Sequence, residues 1–207
     1  MNRLSLSLLL CAWVGLAATS ATALAAPMPP DQLVKETTTK VLKELTDHRD
    51  ELKNDSQKLY QMVDQVVLPH FDFERMSRYV LGRYWRQATP EQQKQFVEQF
   101  RTLLVRTYAT ALFQYTGQKI SYKPFHHDES SKRAVVQTQV ERSDGPPIPI
   151  DYSLSLASDE WKVYDIKIDN LSLVTNYRSQ YGEIVQTQGM DKLISELSRK
   201  NKELMKQ

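Results

Sequence analysis

Side chains able to do acid–base or metal chemistry are few here: among 207 residues there are four histidines (His48, His70, His126 and His127) and one cysteine, Cys11. The pair His126-His127, followed by Asp128 and Glu129, has the residue types of a metal site. Its spacing argues against one. Adjacent residues of an extended chain point to opposite sides, the run reads as a polar turn, and no recognised ligand spacing accompanies it. His70 lies between Pro69 and Phe71-Asp72-Phe73, where capping or packing accounts for it without catalysis. There is no Gly-x-Ser-x-Gly elbow, phosphate loop or dinucleotide fingerprint, and six glycines leave little scope for close backbone approach to phosphates. The expectation is therefore no catalytic residue, no metal and no cofactor.

What positions the remaining side chains begins with the leader. A basic start at Arg3, an apolar stretch from Leu4 through Leu16 and a small-residue end at Ala23-Leu24-Ala25 have the anatomy of a cleavable export signal covering residues 1–25. Cys11 would leave with it, so the mature domain, 26–207, has no disulfide to rely on and must build a hydrophobic core. Loss of Arg3 lowers Lys+Arg from 27 to 26 against 25 acids, a net charge of about +1, which carries no nucleic-acid footprint. Some 180 residues suit one domain, and no later stretch is long and apolar enough to span a bilayer.

Asp31 is placed to cap a helix beginning at Gln32, with Leu33, Val34, Val41, Leu42 and Leu45 near helical spacing. A second helix runs from Asp55 or Ser56 to Leu68, and a shorter one from Phe73 to Leu81. Thr89-Pro90-Glu91-Gln92 announces a long helix by a capping box with proline at the first position. Its stripe of Phe96, Phe100, Leu103, Leu104, Tyr108, Ala111, Leu112 and Tyr115 runs up to Gly117.

Beyond Gly117 the hydrophobic period changes from 3.6 to 2. Ile120 and Tyr122 mark a first strand, and Ala134, Val136, Thr138 and Val140 one face of a second. After the turn at Ser143-Asp144-Gly145-Pro146-Pro147, the third alternates Ile148, Ile150, Tyr152, Leu154 and Leu156 with polar positions. In the fourth, Trp161 and Val163 are one step out of phase with Ile166 and Ile168, which predicts a β-bulge near Tyr164-Asp165. The pattern reads as α+β: a twisted antiparallel four-stranded sheet, one face wet and the other covered by the preceding helices. Helical period then returns from Leu173, and Gly189 separates two helices.

Two stretches carry a resemblance: Leu81-Gly82-Arg83-Tyr84-Trp85-Arg86-Gln87-Ala88-Thr89-Pro90-Glu91-Gln92, and Trp161-Lys162-Val163-Tyr164-Asp165-Ile166 continuing to Ser172-Leu173-Val174 and Asn176-Tyr177-Arg178-Ser179-Gln180. They resemble the MlaC, or toluene-tolerance, family, and the similarity reaches Gly189-Met190-Asp191-Lys192-Leu193-Ile194. The family usually has a glycine before the small apolar residue and Ser172; here Asn170 and Leu171 stand there. The resemblance implies a periplasmic phospholipid carrier that catalyses nothing and holds acyl tails in an apolar cavity between helices and sheet. It also implies two partners, an outer-membrane lipoprotein–porin complex and an inner-membrane ABC transporter with its MCE-domain subunit, and a role in outer-membrane lipid asymmetry.

On that reading the lipid contacts are expected at Phe96, Phe100, Leu104 and Tyr108 of the long helix, Ile150, Tyr152 and Leu154 of the sheet, and Leu171 and Val174 at the edge. Arg83 and Arg86 are candidates for the head-group phosphate. Two other functions compete: an enzyme with a helix-covered sheet pocket, which needs an inward acid–base pair, and a periplasmic chaperone, which needs an exposed apolar surface.

Overall fold

The structure, a computed structural model, describes residues 27–205 apart from Tyr115, Thr116, Glu129 and Ser143, and for Thr110, Phe113 and Gln114 the backbone alone. The export signal with Cys11, the end of the long stripe at Tyr115, and Glu129 and Ser143 lie outside the described residues. Among those described, no helix is long and apolar enough to cross a membrane.

Seven α-helices and five strands follow in chain order: α1 Pro30–Asp47, α2 Arg49–Asn54, α3 Ser56–Val66, α4 Phe73–Leu81, α5 Pro90–Tyr108, β1 Ile120–Tyr122, β2 Arg133–Val140, β3 Ile148–Ala157, β4 Glu160–Ile168, β5 Leu171–Ser172, α6 Leu173–Gln188 and α7 Met190–Leu204. The sheet is an antiparallel meander in sequence order. A fifth strand joins the four expected because Asp169 and Asn170 take positive φ and fold the chain back so that Ile168 pairs with Leu171. Two residues carry too little alternation to be recognised as a strand from sequence.

Several local expectations hold. Thr89 accepts from the Gln92 N–H at 3.2 Å while the Gln92 side chain accepts from the Thr89 N–H at 3.0 Å, completing the capping box of α5. Asp55 caps α3, and Gly189, at φ +86°, divides α6 from α7. Ser153 pairs with Asp165 but Leu154 with Val163, so Tyr164 is the extra residue of a bulge in β4. Ile166 and Ile168 thereby return to the face that Trp161 and Val163 occupy.

Two boundaries differ. Helix α1 starts at Pro30, so Asp31 lies in its first turn, where a carboxylate complements the helix dipole, and does not cap it. The long α5 ends at Tyr108, and the chain tightens into a 3-10 helix, Ala109–Gln114, in which Ala109 and Leu112 pack with α1, α2 and α3 while Ala111 of the expected stripe is exposed.

Three apolar cores result. The first is all-helical: Met76, Val80 and Leu81 of α4, Phe96, Phe100, Leu103 and Leu104 of α5, Tyr177 and Tyr181 of α6, and Leu193 and Leu197 of α7. Asn201 fastens α7 to α5, its amide donating to Gln99 O at 2.9 Å. The second gathers α1, α2 and α3 around Leu59 and Leu45. The third belongs to the sheet: Ala134, Val136, Leu154, Trp161 and Val163 pack beneath Val34 of α1, with Leu33, Phe71 and Phe125 at its margin.

Candidate functional site

The pairing register places one set of side chains on a single face of the sheet. Across its middle run Tyr122, Thr138, Ile150, Ile168 and Leu171, one from each strand. Val136, Tyr152 and Ile166 form the next row on one side, and Ile120, Val140 and Ile148 the row on the other. Beyond Val136 the row Ala134–Leu154–Val163 is sealed, with Leu154 fully buried.

The face is therefore closed at one end and open at the other. At the closed end Trp161 is covered edge-on by the His127 ring at 5.0 Å, and His127 stacks on Phe125 at 5.9 Å. This is an aromatic packing role for a histidine of the pair considered above; among the described residues no three His, Cys, Asp or Glu side chains cluster as a metal site would require. At the open end Ile120, Val140, Ile148, Ile150, Ile166 and Ile168 are apolar, inward and partly exposed, and Leu171 is 71% exposed. A run of apolar side chains left uncovered on one face is not what a filled core produces.

Four hydroxyls interrupt this apolar surface. Thr38 of α1 reaches Tyr122 and Tyr152, and Tyr152 also meets Thr138, whose own hydroxyl donates to Ile150 O at 3.0 Å. Burial pushes the Tyr152 phenol up to about 12, with the Tyr122 phenol a lesser influence in the same direction. Tyr152 nonetheless keeps accessible surface.

The residues expected to contact lipid divide between two places. Ile150, Tyr152 and Leu154 share the sheet face, and Leu171 stands exposed at its rim. Phe96, Phe100, Leu104 and Val174 lie in the helical core, with Tyr108 packed against it. Phe96 and Phe100 stack at 5.5 Å and meet Tyr177 and Tyr181 edge-on, so both rings are completely enclosed. The described helix whose buried side chain joins the sheet core is α1, through Val34. Arg83 and Arg86 are exposed on the 3-10 helix Gly82–Arg86, where Arg83 donates to the Tyr84 hydroxyl at 2.9 Å and stacks on its ring. Arg83 also edges a separate open pocket of about 550 Å³ lined by Gln87, Gln92 and Gln186 together with Tyr84, Val185 and Met190.

Sequence reasoning did not single out Thr38. The signal was present: Val34, Thr38, Val41 and Leu45 follow one helical stripe, and a hydroxyl among three buried aliphatics marks a position facing something polar. His70 sits half-buried in the 3-10 turn Leu68–His70, its pKa lowered by burial and then by the Lys162 and Lys40 cations.

The MlaC protein family profile matches residues 35–199. The chain belongs to the MlaC family. This MlaC-family protein is 31% identical over 167 residues to the toluene tolerance protein ttg2D of Pseudomonas putida, covering 80% of this chain and 77% of that one. It is 25% identical over 173 residues to the intermembrane phospholipid transport system binding protein MlaC of Haemophilus influenzae, covering 82% and 81%. Among solved structures it is similar to the phospholipid-binding protein from Ralstonia solanacearum in complex with a phospholipid. That likeness has a TM-score of 0.79 and 35% identity, over 86% of this chain and 99% of the other. The α+β architecture of the MlaC-family protein is thus shared with a protein solved in complex with a phospholipid.

Proposed function

We propose that this protein is a periplasmic phospholipid carrier, exported by a cleaved signal over residues 1–25, that shuttles lipid between the outer and inner membranes without catalysing a reaction. The carrying observation is the open apolar end of the sheet face, in a chain whose solved relative holds a phospholipid. Each acyl methylene withdrawn from water contributes about 0.8 kcal/mol, so both tails of a lipid must be enclosed for it to leave a membrane at all. A bilayer supplies the same apolar surroundings. Pocket and membrane therefore nearly balance, and direction comes from the complexes at either end.

Those complexes are an outer-membrane lipoprotein–porin assembly and an inner-membrane ABC transporter with an MCE-domain subunit, and the process served is outer-membrane lipid asymmetry. Phospholipid is cargo; no cofactor takes part. Contacts come from Ile150, Tyr152, Leu154 and Leu171 on the sheet side. Phe96, Phe100, Leu104 and Val174, with Tyr108 against them, hold the fold together in the sealed helical core, and Arg83 and Arg86 are basic groups available to a head group. The test is to express the full chain with its leader, purify it from the periplasm without detergent, extract with organic solvent and identify the extract by mass spectrometry. Stoichiometric phospholipid is expected. Protein that is lipid-free as isolated and takes up none from vesicles overturns the reading.

A further inference from the structure

The hydroxyls of Thr38, Tyr122, Thr138 and Tyr152 come from four different elements, α1, β1, β2 and β3, and meet on a face whose other inward side chains are aliphatic. A polar group kept at a buried apolar surface is costly unless it has a partner. Thr138 has one, the carbonyl of Ile150. Thr38 reaches both phenols and Thr138 reaches Tyr152, and no charged side chain influences either phenol.

We propose that this hydroxyl cluster receives the ester carbonyls joining acyl tails to glycerol, and so makes the protein selective for ester-linked over ether-linked phospholipids. The inference rests on the phospholipid reading above and adds the linkage class to it.

Three physical points support the assignment. The cluster is neutral, so it suits an uncharged acceptor; a phosphate placed there would shed its hydration without gaining a cation. A carbonyl oxygen is the strongest uncharged acceptor a glycerophospholipid has, and an ether-linked analogue lacks it while keeping the same tails and head group. The position also fits. Tyr122 is on the edge strand and 36% exposed, giving a head group an exit, while Ile150, Ile166 and Ile168 extend away from it as a bed for the tails.

The experiment loads delipidated protein from vesicles holding equal amounts of a diester phosphatidylglycerol and its diether analogue of identical chain length. Bound lipid is then extracted and counted by mass spectrometry. One neutral hydrogen bond corresponds to a preference of roughly 2- to 10-fold, and wild type is expected to enrich the diester by that factor. The double variant Tyr122→Phe/Tyr152→Phe, which removes only oxygen, is expected to bring the ratio of the two lipids to about one. Thr38→Val, on a different element, reports the same loss if either phenol variant folds poorly, and Val135→Ala on the opposite, exposed face leaves the preference intact. Equal loading of the two lipids by wild type, or a preference that survives both sets of substitutions, overturns the inference while the carrier reading stands. Failure of wild type to load either lipid overturns both.

Discussion

Phe96 and Phe100 on α5, and Ile150 and Tyr152 on β3, are all aromatic or aliphatic side chains at inward positions, yet the first pair is sealed and the second keeps contact with solvent. The helical core is sealed because four helices converge on it, and Tyr177 and Tyr181 of α6 close edge-on over the two phenylalanines of α5. Among the described residues α1 packs Val34 onto one end of the sheet face, and the rows toward Ile120, Val140 and Ile148 stay partly exposed. One region stores stability and the other leaves surface for a ligand. A carrier needs both, since a face able to accept tails contributes little to holding the empty molecule together.

The difference can be broken from either side. Phe100→Ala should cost about 3–5 kcal/mol in denaturant unfolding, because it empties a fully enclosed ring site, while lipid bound per folded molecule stays unchanged. Ile150→Asp and Ile168→Asp should do the reverse. A carboxylate among acyl tails should lower extracted lipid by at least about tenfold, with a smaller loss of stability than Phe100→Ala. If Phe100→Ala abolished lipid binding at full folding, the separation of the two regions would fail.

Alkaline titration sharpens the contrast. The folded Tyr152 phenol titrates near 12, above its ordinary value of 10.0, so the unfolded chain loses that proton first. The contribution is fully present below the unfolded value and is lost as pH rises from about 10 toward 12. Tyr177 and Tyr181 in the helical core are also raised by burial and add to the same fall. Unfolding curves at successive pH values should be flat with respect to these groups below 10, and Tyr152→Phe should make the decline shallower without removing it. The smallest effect is expected at Thr89→Ala, which removes half a capping box remote from the sheet face: about 1 kcal/mol of stability and no change in lipid content.

Much of this was legible in residue order. Period-2 alternation located β2, β3 and β4, and the phase slip between Val163 and Ile166 located the bulge, because alternation is a direct record of which side each residue takes. Caps located α3 and α5 for the same local reason. What periodicity does not record is the partner. The stripe on α5 shows that Phe96 and Phe100 are buried, and whether they meet a sheet or other helices depends on how α6 and α7 return across the chain. The apolar stripe of α1 is the less conspicuous one, and it is the one that lies on the sheet. That Ile150, Tyr152 and Leu154 share one face of the sheet was readable because strand register is fixed by nearest neighbours. Thr38 needed the tertiary arrangement.

The bulge at Tyr164 has a consequence for how the chain tolerates change in length. Upstream of it β4 turns Trp161 and Val163 toward α1; Tyr164 itself meets Tyr79 of α4 at 5.5 Å, and Ile166 and Ile168 resume the first direction. Deleting that single amino acid would leave the same pairs in an unbulged strand, Ser153 opposite Asp165 and Tyr152 opposite Ile166, and would forfeit the contact with Tyr79. Deleting Lys167 instead would send Ile168 outward by one pleat, so the spare residue at the bulge lets β4 shorten there while its greasy lining stays inward.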